Sequence, residues 1–86
     1  MEWTLSTWSR LGHASRDERR ARGLTQAQLA ERADVSRGWL VRFEQGLDNA
    51  EPVRVFRVLR ALDLDLVVRP HERAADEDLL DEVLGG

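Results

Sequence analysis

Residues 23–46 read GLTQAQLAERADVSRGWLVRFEQG, and this stretch decides the fold of the chain. Thr25 and Gln28 have the spacing of a capping box, in which a hydroxyl and an amide satisfy each other's backbone donors where a helix begins. Ser36 can cap a second helix, and Gly46 can end it. The stretch therefore predicts two short helices that are joined by a tight turn.

The second of these helices is expected to project from the domain. Helices this short can bury their apolar faces only by crossing at a steep angle, which leaves one of them exposed. Leu40 and Phe43 are spaced to point inward. The opposite face then presents Arg37, Gly38, Val41 and Arg42. Because a projecting helix of this kind can enter a DNA groove, the sequence predicts a helix-turn-helix motif.

The exposed face of this helix carries candidate DNA contacts of several kinds. Arg37 and Arg42 can each donate two hydrogen bonds to guanine O6 and N7. Either could instead contact phosphate, which carries no sequence information. Val41 can touch a thymine methyl, and Gly38 lets the backbone come close. Trp39 could pack in the core, which is the favoured position, or lie at the rim with its N–H toward a phosphate. The DNA-binding residues predicted on this helix and at its start are Ser36, Arg37, Gly38, Trp39, Val41 and Arg42.

The composition is that of one small domain. With 86 residues and 42% hydrophobic content, a monomer would bury only about 60% of its unfolded surface, so dimerisation would help it. The chain has no cysteine, which excludes a disulfide framework and a thiolate metal site. Since no apolar run exceeds three residues, we expect no signal peptide, no membrane span and hence a cytoplasmic protein.

The net charge of -3 is unevenly distributed along the chain. Residues 72–86 contain six acidic residues and one arginine, a net charge of -5, whereas residues 1–71 contain 12 arginines and 10 acidic residues, a net charge of +2. We therefore predict a DNA-binding and dimerisation domain at 1–71 and an acidic tail at 72–86. The tail has a helix-spaced apolar stripe of Leu79, Leu80, Val83 and Leu84. This stripe could fold on a partner, the tail's acidic residues could cover the arginine-rich surface, or the tail could stay disordered.

Two further helices are predicted outside the motif. The first runs from a cap at Ser6 or Thr7 to about Arg22. The last is capped by Asn49 and has Pro52 in its first turn. Its predicted apolar face consists of Val55, Phe56, Leu59 and Leu62. Its other side carries arginines at positions 54, 57 and 60, which could meet a partner but are more simply explained as a solvated helix face.

Residues 64–69 have the alternation of a strand. The apolar residues that would form it are Leu64, Leu66, Val67 and Val68. A strand cannot exist alone, and pairing with its copy in a second subunit would satisfy its backbone. We therefore predict a homodimer, whose two projecting helices would lie about 34 Å apart and would bind a palindromic DNA site.

In order and spacing, the motifs resemble the Xre-type repressors and the phage repressors related to them. The residues that carry this resemblance are Leu24-Thr25-Gln26, Leu29-Ala30, Val35-Ser36, Trp39-Leu40 and Phe43-Glu44-Gln45-Gly46. Residues 55–62 and 64–69 are similar to the HipB-like antitoxin branch, so the resemblance covers roughly residues 11–69. It implies an all-α, lambda-repressor-like domain of four or five helices, with a C-terminal strand that pairs across the homodimer.

The resemblance also implies roles for particular residues. Arg19 and Glu44 would form a shielded ion pair that ties the first helix to the base of the projecting helix. Gln26 would bond a phosphate and could brace the same helix. Asp34 stands where the family commonly has glycine in a left-handed turn, a conformation that aspartate tolerates. Leu47 stands where a cation for the DNA backbone is common.

The sequence also ranks the classes of function. The two histidines lie in different elements, and there is no glycine-rich phosphate loop and no paired nucleophile and base, so we expect no enzyme, no cofactor and no metal. The resemblance implies a DNA-binding antitoxin of a type II toxin-antitoxin system that represses its own operon and neutralises a HipA-like kinase toxin. The alternatives are a stand-alone repressor of the phage or restriction-controller type without a toxin, and an adaptor that no longer binds DNA.

Overall fold

The computed structural model describes residues 7–70, which form an all-α domain of four helices. The helices are α1 (Trp8–Ala21), α2 (Gln26–Ala33), α3 (Arg37–Glu44) and α4 (Pro52–Ala61). No strand occurs among the described residues. The predicted all-α class is therefore confirmed, and α2 and α3 are the two short helices of the predicted motif.

The caps that the sequence predicts are present at the starts of α2 and α3. The backbone N–H of Gln28 donates to Thr25 Oγ1 (3.1 Å), and the backbone N–H of Thr25 donates to Gln28 Oε1 (2.9 Å). At the start of α3 the backbone N–H of Trp39 donates to Ser36 Oγ (3.1 Å). Between the helices Asp34 adopts the left-handed conformation with φ 55°. Local hydrogen bonds thus set the length and the spacing of both helices.

The hydrophobic core lies between the four helices. α2 packs against α3 and α4, and α1 packs against α3. The apolar side chains that are completely buried are Leu29, Leu40, Phe43, Val55, Val58 and Leu62. Burying one such side chain contributes about 1.5 to 3 kcal/mol. All three of the later helices contribute to this set, so the position of α3 depends on packing as well as on its caps.

The backbones of α1 and α3 approach each other closely at Gly12. A Cβ atom at this position would overlap the carbonyl oxygen of Phe43. Nearby, the indole N–H of Trp8 donates to the carbonyl oxygen of Ala50 (3.2 Å), which ties the start of α1 to the segment before α4. α1 therefore holds both ends of the connection between α3 and α4.

Two expectations for α4 were wrong. The helix begins at Pro52 with Glu51 as its N-cap residue, so Asn49 lies in the preceding turn and is not the cap. Phe56 is 52% exposed rather than buried, and Val58 takes its place in the core. The reason is helical rotation, because Val55, Val58 and Leu62 share one stripe and a residue next to Val55 is turned about 100° away from it.

Residues 62–70 follow α4 without a helix and leave apolar side chains exposed. We define the apolar patch as Val53, Phe56, Leu66, Val67 and Val68, which are 48% to 94% exposed. Phe56 and Leu66 line a common hollow of about 430 Å³ beside Leu59 and Leu64. A single chain offers no partner strand to residues 64–69, so their predicted pairing across a dimer stays a prediction.

Several expectations fall on residues that lie outside the described part of the chain. These are the stripe of Leu79, Leu80, Val83 and Leu84 and the boundary between the domain and the tail at residue 71. Within residues 7–70 no helix is long and apolar enough to cross a membrane. The same residues contain no cluster of histidine, aspartate and glutamate side chains that could hold a metal ion.

Candidate nucleic-acid interface

The outward side of α3 is polar, cationic and accessible. Ser36, Arg37, Gly38 and Arg42 are exposed, and Val41 is half-buried between them. The inward side is apolar, since Leu40 and Phe43 are completely buried. The structure thus brings five of the seven predicted DNA-binding residues together on one surface of one helix.

Gln45 is a further member of this surface that the sequence analysis did not single out as a site residue. It follows α3 directly and is exposed. Gly38, Val41 and Arg42 lie seven, four and three residues before it, the spacings that share a helix face. That spacing was the signal available in the sequence. We define the outer face of α3 as Arg37, Gly38, Val41, Arg42 and Gln45.

Trp39 does not belong to the outer face. Its side chain is 3% exposed, and its ring stacks on that of Phe43 with centroids 5.0 Å apart and planes at 14°. The placement of Trp39 among the DNA-binding residues is therefore corrected in favour of the core position. The physical reason is the helix period, which puts residues 39, 40 and 43 on the same side of α3.

A buried ion pair fixes the end of α3 to α1. Arg19 donates from Nε to Glu44 Oε2 (2.8 Å) and from Nη2 to Glu44 Oε1 (3.0 Å). The two side chains are 9% and 2% exposed. Paired charges that are removed from water in this fork geometry are well hydrogen-bonded, but either partner alone would be a buried uncompensated charge. The orientation of α3 is thus coupled to α1.

Gln26 and Leu24 complete this network at the start of α2. Gln26 donates from Nε2 to Glu44 Oε1 (3.1 Å), and Arg19 donates from Nη1 to the carbonyl oxygen of Leu24 (2.8 Å). The amide nitrogen of Gln26 carries a second N–H, which is the donor it could offer to a phosphate. Gln26 therefore braces α3 in the structure, and the residue is half-buried.

Two arginines of α4 reach toward the motif from the other side. Arg57 donates from Nη1 to the carbonyl oxygen of Asp34 in the turn between α2 and α3 (3.4 Å). The guanidinium carbon of Arg54 lies 5.9 Å from the centroid of the Trp39 ring. These contacts depend on how α4 crosses the motif, and the sequence analysis treated both arginines only as part of a solvated face or a surface for a partner.

The arrangement defines the class of the protein. α2 and α3 are a tightly joined pair of short helices, and α3 has an exposed cationic side and an inner side that is fixed to the core. This is a helix-turn-helix of the type that places its second helix in the major groove of DNA. In agreement, the sequence model of a family described as "Helix-turn-helix domain" matches residues 10–72. The chain belongs to this family. No curated protein matches the sequence.

Solved structures with a similar fold include several complexes of HipB. A HipB variant in an O2 20mer complex has a TM-score of 0.78 and 24% identity, covering 84% of this chain and 100% of that chain. A HipB–O4 20mer complex has a TM-score of 0.77 and 22% identity, covering 83% and 100%. A HipA–HipB–O2–O3 complex has a TM-score of 0.76 and 22% identity, with the same coverage. The predicted resemblance to an Xre-type, HipB-like domain is confirmed at the level of the fold.

Proposed function

We propose that this chain is a sequence-specific DNA-binding antitoxin of a type II toxin-antitoxin system. As a homodimer in the cytoplasm, bound to the nucleoid, it represses its own operon and neutralises a HipA-like kinase toxin. It is not an enzyme and needs no cofactor. The observation that carries the DNA-binding half is the outer face of α3, which is exposed and cationic while its other side is anchored by the buried pair of Arg19 and Glu44.

The outer face of α3 has the groups that base recognition in the major groove requires. Arg37 and Arg42 donate in forks to guanine O6 and N7, and Gln45 is suited to the N6 and N7 atoms of adenine. Val41 contacts a thymine methyl, and Gly38 lets the helix approach the base edges closely. Ser36 and Gln26 lie at the start of α3 and of α2, where they contact the phosphates that position the helix.

The apolar patch supports the homodimer. Its five residues would remain in water in a monomer, and Val68 is 94% exposed. An exposed apolar patch on a small domain is typical of a surface that a partner covers. Pairing of Leu64, Leu66, Val67 and Val68 with the same strand of a second copy would satisfy the backbone and bury the patch at once. The two-fold axis would give a palindromic operator.

The proposed binding of a toxin rests on the similarity to HipB and on the acidic tail. HipB, whose fold this chain shares, occurs in a solved complex with HipA and operator DNA. The acidic tail with its stripe of Leu79, Leu80, Val83 and Leu84 is the segment that we assign to the toxin. Its net charge of -5 makes it a poor DNA-binding segment, so a protein partner suits it better.

Affinity purification from the native host tests both halves. We would capture the full chain and a 1–71 truncation, sequence the bound DNA and identify the bound proteins by mass spectrometry. DNA of its own promoter with both forms, and a kinase-like protein from the adjoining gene with the full chain alone, are the expected results. Promoter DNA without any protein partner would instead indicate a stand-alone repressor, and no enriched DNA would indicate an adaptor.

A further inference from the structure

We propose that Arg54 of α4 is a phosphate contact at the border of the DNA interface, opposite Gln26, and that Glu51 competes with DNA for it. This inference rests on the proposed DNA binding and adds a residue that the helix-turn-helix itself does not contain. The observations that carry it are the position of the Arg54 guanidinium against α3, its exposure, and its ion pair with Glu51, the N-cap residue of α4.

The position of Arg54 follows from its contact with Trp39. Its guanidinium carbon lies 5.9 Å from the centroid of the Trp39 ring, within cation–π distance. Trp39 and Arg42 are three residues apart and therefore neighbours on the surface of α3. Arg54 thus lies along the side of α3 that carries Arg42, although it belongs to another helix. Residues 45–53 contain no arginine or lysine, so Arg54 is the first cation after α3.

Geometry around α3 places Arg54 and Gln26 at opposite borders of the interface. At about 100° per residue, Trp39 and Glu44 are about 140° apart on the core side of the helix. The outer face fills the wider arc between them. Gln26 contacts Glu44 at one border, and Arg54 lies over Trp39 at the other border. The two side chains therefore flank the surface that would face DNA.

The dimensions of DNA indicate that a phosphate strand would lie at each of these two borders. A helix with its side chains is about 10 to 12 Å across, and the major groove is about 12 Å wide. A helix in the groove therefore has a phosphate strand along each side. A guanidinium beside the helix meets that strand rather than the bases. Arg54 would bind DNA without reading its sequence.

The chemistry of the Arg54 side chain in the free protein fits this role. Its Nε lies 3.3 Å from Glu51 Oε2, and the two side chains are 46% and 55% exposed. The pair uses Nε, so Nη1 and Nη2 can donate to phosphate oxygens in the fork that arginine makes with phosphate. An exposed pair of this kind is weak enough to be exchanged. The cation–π contact with Trp39 favours this position of the guanidinium while its anionic partner changes.

The experiment measures the salt dependence of DNA binding by the full chain. The probe is a mixed-sequence duplex of about three helical turns, because a phosphate contact needs no particular sequence. A promoter duplex from the chain's own gene serves as a second probe. Affinity is followed by fluorescence anisotropy between about 50 and 200 mM salt. Sedimentation of each variant ensures that chains of the same oligomeric state are compared.

Arg54→Gln should lower the slope of log affinity against log salt by about one per bound protomer. The salt-induced loss of affinity between the two salt limits should shrink by about three- to fourfold per protomer. Arg54→Lys should keep the slope, because it keeps the charge without the planar guanidinium. Arg60→Gln is the matched control, since it removes the same charge about two turns farther along α4. An Arg54→Gln slope that matches the Arg60→Gln slope would overturn the inference and leave the proposed function intact.

Glu51→Gln tests the competition directly. Removing this carboxylate frees Arg54 and takes a negative charge away from the phosphates, so affinity should rise by about twofold to fivefold on both probes. Unchanged or lower affinity would show that Glu51 does not compete with the phosphates for Arg54 and would overturn the inference. No salt-dependent binding of either probe by the wild-type chain would overturn the inference together with the proposed DNA binding.

Discussion

The outer face of α3 and the apolar patch are both exposed, but they differ in what supports them. The outer face is supported within one chain, by the Ser36 cap, by the buried pair of Arg19 and Glu44 and by the core side chains behind it. The apolar patch has no such support, and its residues lie in water at 48% to 94% exposure.

This difference indicates that a DNA-binding surface and a dimerisation surface have different structural requirements. A surface that is to meet DNA must be rigid before binding, since disorder would add an entropic cost to every contact. A surface that is to meet a second copy can stay incomplete, because the copy supplies the missing hydrogen bonds and apolar contacts. Mutations behind α3 should therefore act on folding, mutations of the patch on assembly, and mutations of the outer face on DNA alone.

The largest effect is expected for Glu44→Ala, which removes the support behind α3. It leaves Arg19 buried without its anion and Gln26 without its acceptor. The free energy of unfolding should fall by about 3 to 5 kcal/mol, as measured by urea unfolding followed by circular dichroism. The double variant Arg19→Met/Glu44→Leu is the control and should lose much less. Equal losses in both would mean that packing, not charge, determines the cost.

Phe56→Asp should break the assembly and leave the fold of the protomer intact. The side chain is 52% exposed in one chain, so a carboxylate there costs the monomer little, but it would be buried in the dimer. The dissociation constant of the dimer should rise by at least about tenfold, or 1.4 kcal/mol, in sedimentation experiments. Asp48→Ala, at an exposed position that is not part of the patch, should leave the mass unchanged. A Phe56→Asp chain that remains a dimer would contradict the role of the patch.

Arg42→Ala should act on DNA alone. Loss of a guanine fork should cost about 1 to 3 kcal/mol on the operator and relax the preference at one base pair. Thermal unfolding should be unchanged, because the side chain is exposed. Binding to a library of operator variants distinguishes an arginine that recognises a base from one that contacts phosphate. A uniform loss across the library would make Arg42 a phosphate contact.

Substitutions of Ser36 should give the smallest of these effects. They distinguish the contribution of this residue to stability from its contribution to DNA binding. Ser36→Ala removes the acceptor of the Trp39 backbone N–H and should lower stability by about 1 kcal/mol. Ser36→Asp keeps a cap and should restore stability, while its charge should weaken DNA binding through repulsion from phosphate. Thermal melts and anisotropy of the same two variants provide the measurement. Normal DNA affinity of the aspartate variant would place Ser36 outside the interface.

The motif could be predicted because its signals are local. The Thr25 and Gln28 box, the Ser36 cap and the left-handed turn at Asp34 each depend on atoms within about four residues, so the sequence contains the whole interaction. The outer face follows from the same periodicity once Leu40 and Phe43 are taken as buried. Gln45 could have been found with it by extending the period one residue beyond the helix.

The predictions for Phe56 and Trp39 depended on which side of a helix is buried and on what packs against it. Phe56 was predicted to be buried because its spacing to Leu59 places both on one broad apolar face of a helix. The crossing of α2 and α4 buries the stripe of Val55, Val58 and Leu62 instead. Trp39 could not be placed with certainty from its type alone, since an indole suits both a core and a rim. Its stack on Phe43 resolves the question in favour of the core.

The sequence by itself therefore determined α2 and α3, the caps at their starts and the side of α3 that carries the arginines, since these depend on short-range hydrogen bonds and on the helix period. Only the tertiary structure determined that Gly12 must lack a side chain and that Arg54 lies over Trp39. Both facts depend on the distance and the crossing angle between two helices. Those quantities are set by the packing of the whole core, which no local stretch of sequence contains.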